Sequence, residues 1–167
     1  MTDYNIIQLN IHSMNLNTLP TDISSSTNLQ ILCCSYNQIN SLDNLLPTLK
    51  ELYCSNNQLT QLDNLPLTLI YLDCYNNNIT QLDYLPITLQ TLLCVCNNII
   101  SLDNLPQRLK QLYCANNPLT TLDNLPITIN ELIFDITTLI HHPKNFTSQK
   151  LCDDIYDNLY LLQYIQP

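Results

Sequence analysis

The chain contains no glycine and no tryptophan, and charged residues fill only 11% of its 167 positions. Without glycine, the usual phosphate loop, dinucleotide-binding turn and serine nucleophile elbow cannot be built. Each places Gly where the backbone must approach a ligand or adopt a positive φ. Cations are scarcest: five Lys+Arg stand against 14 Asp+Glu, for a net charge of −9. That balance argues against nucleic acid and membrane as partners, because no basic run is present to displace counterions or to settle on lipid headgroups. No apolar stretch approaches the length of a membrane span, and Met1-Thr2-Asp3-Tyr4-Asn5 lacks the basic-then-apolar pattern of a secretory signal. These absences predict a cytoplasmic protein in a reducing compartment. Its eight cysteines then need a reading other than a disulfide framework.

What the chain does have is a repeat. One segment recurs every 20 residues, as Leu29, Leu32, Cys34, Asn37, Ile39 and then Leu49, Leu52, Cys54, Asn57, Leu59. Three further copies carry Leu72, Cys74 and Asn77, then Leu92, Cys94 and Asn97, then Leu112, Cys114 and Asn117. A decayed copy, Ile129, Leu132, Phe134, Thr137, Leu139, has Thr where Asn stood. A longer unit of 23 residues, from Ile6 through Leu9, Ile11 and Leu19-Pro20, precedes them. Seven units run from Ile6 to about position 148.

This pattern is identified as the leucine-rich repeat. Its second half, as in Leu62-Asp63-Asn64-Leu65-Pro66, resembles the short repeat class of bacterial secreted effectors. The glycine-free composition, rich in Asn, Ile, Leu and Tyr, also resembles leucine-rich-repeat proteins of giant DNA viruses, which implies host cytoplasm if the source is viral.

The periodicity has a physical reading of its own. Alternate residues around Leu32 and Cys34 point the same way, as in a short strand, and stacked strands form one parallel sheet. No unit can bury its Leu face alone, whereas stacking gives a continuous core. The back is too short for a full helix, and Pro66, Pro86, Pro106 and Pro126 favour an extended, polyproline-like path. The expected fold is an α/β repeat solenoid, an arc with a parallel sheet on its concave face. Residues 1–148 form the solenoid. Residues 149–167, with Leu151, Ile155, Leu159 and Leu162 at helical spacing, form a C-terminal capping helix. The uncapped N-terminal edge strand leaves a homodimer open.

Three columns invite chemical readings. Cys34, Cys54, Cys74, Cys94 and Cys114 point inward and read as small apolar packing groups. Parallel neighbours hold their Cβ atoms about 4.8 Å apart, beyond the ~3.8 Å a disulfide prefers, and no Cys-x-x-Cys spacing suggests zinc. Asn37, Asn57, Asn77, Asn97 and Asn117 satisfy backbone groups in the turn after each strand. They are also candidates for the left-handed geometry that a glycine-free chain must place somewhere. Asp43, Asp63, Asp83, Asp103 and Asp123 on the back read as Asx turns rather than cation ligands, since calcium repeats supply several oxygens and Gly per turn. His141-His142 and Cys152 show no recognisable ligand spacing, and no cofactor is implied.

Function is expected where strand residues point away from the core. One outward column holds Ile31, Glu51, Tyr71, Thr91, Gln111 and Glu131. The next holds Cys33, Tyr53, Asp73, Leu93, Tyr113 and Ile133, and a third holds Ser35, Ser55, Tyr75, Val95, Ala115 and Asp135. Tyr53, Tyr71, Asp73, Tyr75, Leu93, Val95 and Tyr113 are the candidate partner-binding residues, because tyrosines and a rimmed apolar patch mark interfaces. The acidic rim implies a basic protein or peptide partner. No nucleophile with a base and no acid–base pair stands out, so no enzymatic activity is expected. The alternatives are a structural component, for instance of a virion, or the recognition part of a ubiquitin-ligase-type effector without its catalytic domain.

Overall fold

The computed structural model of the chain describes residues 6–134. Seven three-residue strands form one parallel sheet in chain order. They are β1 (Gln8–Asn10), β2 (Ile31–Cys33), β3 (Glu51–Tyr53), β4 (Tyr71–Asp73), β5 (Thr91–Leu93), β6 (Gln111–Tyr113) and β7 (Glu131–Ile133). The register is unbroken: Leu9, Leu32, Leu52, Leu72, Leu92, Leu112 and Leu132 face one another strand by strand. Each strand has the period-2 signature of its sequence. The central Leu turns inward and is buried from β2 onward, while its neighbours face the concave side. The 20-residue solenoid is therefore as the repeat predicts. The proposed capping helix, with His141, His142, Cys152 and Asp135, lies outside the described residues.

The core is one continuous file of Leu, Ile and Cys from Ile11 to Leu132. The Cys column lies within it, and the thiols of Cys54 and Cys74 donate to the carbonyl oxygens of Asp73 and Leu93 on the next strand, both at 3.3 Å. Burial pushes the Cys34 thiol up to about 12 and holds Cys54, Cys74 and Cys94 well above the ordinary thiol range. These sulfurs are packing groups and not nucleophiles.

Asn side chains join the repeats. The Asn57 amide donates to Cys34 and Cys54 carbonyls, each at 3.1 Å, and its oxygen accepts the Ile39 N–H at 2.9 Å. The arrangement recurs at Asn77, Asn97 and Asn117. The ladder role is thus as expected, but the left-handed geometry sits elsewhere. Positive φ falls on the residue before each ladder Asn, namely Tyr36, Asn56, Asn76, Cys96 and Asn116. It falls again on the residue after each back Asp: Asn44, Asn64, Tyr84, Asn104 and Asn124. The reason is steric and local. A residue bent into the left-handed region turns its side chain outward, whereas the ladder Asn must point in to reach two carbonyls.

The back contains no α-helix among the described residues and runs as extended stretches broken by turns. The Leu69 N–H donates to the Pro66 carbonyl at 3.0 Å, closing a turn just after the proline, and the same bond recurs after Pro86, Pro106 and Pro126. The longer first unit spends its extra residues on a short 3-10 helix, Thr21–Ser25. At Asp43, Asp83 and Asp103 side-chain donors, rather than the expected Asx turns, hold the carboxylates. Asp43 and Asp103 accept from Ser41 and Ser101 hydroxyls at 2.7 and 2.6 Å, and Asp103 also accepts from the Asn124 amide at 3.2 Å. Asp occupies the first central position of a turn whose second residue has positive φ, as in type II turns. A further ladder went unread. Thr68 and Thr88 each donate to main-chain oxygens one repeat back, at 2.7–2.8 Å, and Thr128 does the same at 2.7 and 3.0 Å.

Candidate partner-binding face

Parallel pairing in constant register turns sequence columns into spatial rows. Across β3 and β4, Glu51 faces Tyr71 and Tyr53 faces Asp73. Two acids and two tyrosines therefore alternate at the corners of a square on the open face. The Tyr53 and Tyr71 rings lie along one diagonal, centroids 5.0 Å apart and tilted by 37°. The Tyr53 hydroxyl donates to Glu51 at 3.0 Å, which fixes its ring.

Asp73 is held at two points. One carboxylate oxygen accepts the Tyr75 N–H at 3.0 Å, and the Ser55 hydroxyl supplies a second hydrogen bond. Ser55 in turn lies 2.9 Å from the Ser35 hydroxyl. Desolvation by the packed surroundings outweighs these bonds and raises the carboxyl to about 6. Tyr53, Tyr71 and Tyr113 are all raised above the ordinary phenol range, first by burial. Nearby carboxylates add to this, so the rings are neutral donors.

A second group lies over β5 to β7. The Tyr113 hydroxyl donates to Glu131, and the Gln111 amide donates to the same carboxylate at 2.7 Å. Thr91 extends the row by donating to Gln111 at 2.8 Å. Beneath lies a small apolar cluster of Val95, Ala115 and Ile133, with Tyr75, Cys96 and Tyr113 packed against it.

Of the seven sequence-predicted residues, Tyr53, Tyr71, Asp73, Tyr75, Leu93 and Tyr113 are half-buried on this face. Val95 departs from the expectation of an exposed patch. It is only 2% exposed, because the larger side chains on the adjoining strands close over it. It can serve a partner only as a floor beneath Tyr75 and Tyr113. Cys33 is buried at the start of the column that holds Tyr53 and Tyr113, and Cys96 is partly exposed. The back carries an apolar stripe that the sequence reading missed: Leu67, Ile87 and Ile127, each one residue after a proline and 75%, 71% and 97% exposed. Pro-Leu and Pro-Ile dipeptides in register were its signal. Among the described residues no helix is long and apolar enough to cross a membrane.

The geometry has clear counterparts. A family model described as leucine-rich repeats, two copies, matches residues 27–67. A search of curated proteins finds no match. Among solved structures, the functional domain of InlJ from Listeria monocytogenes, which includes a cysteine ladder, is 28% identical with a TM-score of 0.66. The alignment covers 78% of this chain and only 30% of that one. YopM from Yersinia enterocolitica is 26% identical with a TM-score of 0.63, over 88% of this chain and 41% of its own. The leucine-rich-repeat domain of a Shigella effector is 30% identical with a TM-score of 0.75, over 96% of this chain and 77% of that domain. These three are bacterial and lend nothing to the compositional likeness with viral proteins. At that identity, and over most of the Shigella domain's length, the chain belongs to the leucine-rich-repeat family.

Proposed function

We propose that the chain is a non-catalytic protein–protein interaction module whose concave face binds a basic protein or peptide. Solenoids of this kind present extended concave surfaces, and leucine-rich repeats commonly serve as interaction modules. The observation that carries the reading is the composition of the open face. Tyr53, Tyr71, Tyr75 and Tyr113 stand on it with Glu51, Asp73 and Glu131, and the outward columns of β2 to β7 contain no Lys, Arg or His. Tyrosine offers large contact area at small entropic cost, and here carboxylates hold two of the hydroxyls in place beforehand.

The test compares capture of binding proteins by three versions of the full chain. Replacing both Tyr53 and Tyr113 with Ala should remove the specific partners. Replacing Ile87 and Ile127 with Ser on the back should leave them bound. If the back variant loses them and the concave variant keeps them, the assignment of the face is wrong.

A further inference from the structure

We propose that the square formed by Glu51, Tyr53, Tyr71 and Asp73 receives the guanidinium of one arginine side chain, presented by an extended basic peptide. This rests on the concave-face reading and gives it a chemistry. Among the described residues, no other pair of adjacent strands sets two carboxylates diagonally against two tyrosines. The pairing after β4 opposes Tyr71 and Asp73 with Thr91 and Leu93, and the last one offers Tyr113 and Glu131 alone.

Each part of the square suits a planar cation. Tyr53 and Tyr71, whose rings lean together at 5.0 Å, bring two π systems to the square, and a guanidinium is attracted to such rings. Glu51 and Asp73 stand at the other corners, where the N–H edges of the fork can reach carboxylate oxygens. Glu51 already accepts from Tyr53, and Asp73 from Tyr75 and Ser55, so both are oriented before any ligand arrives. The outward columns of β2 to β7 place no Lys, Arg or His beside them. His12, on the first unit, stacks instead with Tyr36 at 4.9 Å. An ammonium would satisfy the charge but leave the ring planes unused, which favours arginine over lysine.

Binding of three fluorescein-labelled peptides to the full chain tests this: hexa-arginine, hexa-lysine and hexa-citrulline. Fluorescence anisotropy is read at low and at physiological salt. Hexa-arginine should bind more tightly than hexa-lysine, and hexa-citrulline, which keeps the shape and loses the charge, should not bind. Asp73→Asn and Glu51→Gln should each weaken hexa-arginine about tenfold, the loss expected for one charge-assisted contact. Asp63→Asn removes the same charge from the exposed back and should leave the affinity unchanged. Both concave substitutions preserve shape, and circular dichroism verifies that the variants fold. Equal weakening by Asp63→Asn would reduce the effect to net charge and overturn the proposal. So would unchanged affinity in Asp73→Asn and Glu51→Gln, hexa-lysine binding as tightly as hexa-arginine, or equal binding of hexa-citrulline. If any of these occurs while the Tyr53 and Tyr113 changes still abolish partner capture, the interaction face stands and only its arginine chemistry falls.

Discussion

The side-chain amide nitrogen of Asn77 donates to the carbonyl oxygen of Cys54, 3.1 Å away in the preceding repeat, and to that of Cys74 in its own. Its oxygen accepts the Leu59 N–H at 2.9 Å. Truncating Asn77 to Ala strands several buried backbone groups at once and should cost about 3 kcal/mol. Asn77→Asp keeps the acceptor but sets a carboxylate against carbonyl oxygens, and should cost more. Urea unfolding of the two variants beside the parent gives both values.

Tyr84 occupies a left-handed position, φ 62°, where its counterparts are Asn44, Asn64, Asn104 and Asn124. Its ring is 84% exposed and contributes little packing. Tyr84→Asn should therefore raise stability, by about 1 kcal/mol, since Asn tolerates this geometry and a bulky side chain does not. A lower urea midpoint than the parent's would contradict this account of the turn.

Asp73 should make the protein less stable as the pH rises. Its carboxyl is raised from 3.8 to about 6 in the folded state. The folded chain therefore holds this proton more tightly than the unfolded one, and stability falls as pH climbs from about 4 to about 6 and is then level. Asp73→Asn should be more stable than the parent at pH 7.5, by on the order of 2 kcal/mol. The two should converge near pH 4. Thermal melts across that range show the convergence or its absence.

The five column thiols should be inert in the native protein. Cys34, Cys54, Cys74, Cys94 and Cys114 are buried, and the raised thiols among them resist forming thiolate. With a thiol reagent at pH 8, Cys96 should modify well before any of them. The column should follow only at the rate of unfolding, as peptide mapping by mass spectrometry would record.

The solenoid was legible because its determinants repeat. One Leu at every twentieth position of Leu32, Leu52, Leu72, Leu92 and Leu112 fixes both strand and register. The Asn ladder was legible for the same reason, but its geometry was not. Asn76 and Asn77 are adjacent and chemically identical, so composition cannot say which bends left-handed and which points inward. Tyr36-Asn37 and Cys96-Asn97 held the answer, since only the second member of each pair has to be Asn. The candidate face was legible as columns, and so was the Glu51–Tyr71 and Tyr53–Asp73 opposition in principle. What stayed hidden depends on the sizes of neighbours on adjoining strands. Tyr75 and Tyr113 pack beside Val95, and the crowding that lifts Asp73 is a property of the assembled sheet. The Asp column misled because Asp serves several turn types equally well, and the choice rests with the residue that follows it.

The carbonyls of Cys34, Cys54, Cys74 and Cys94 are each shared by two Asn side chains, the repeat's own and the next one's, as Cys54 is by Asn57 and Asn77. Among the described repeats joined in this way none is chemically closed, and none can peel away without exposing polar atoms on its neighbour. Opening should proceed like a zip from a terminus, one tooth at a time. Amide exchange would then be slowest around Leu72 and Leu92 and quicken steadily toward β1. On that gradient the Glu51–Asp73 square sits part-way in, on a stretch of sheet that stays ordered while the outermost strand breathes.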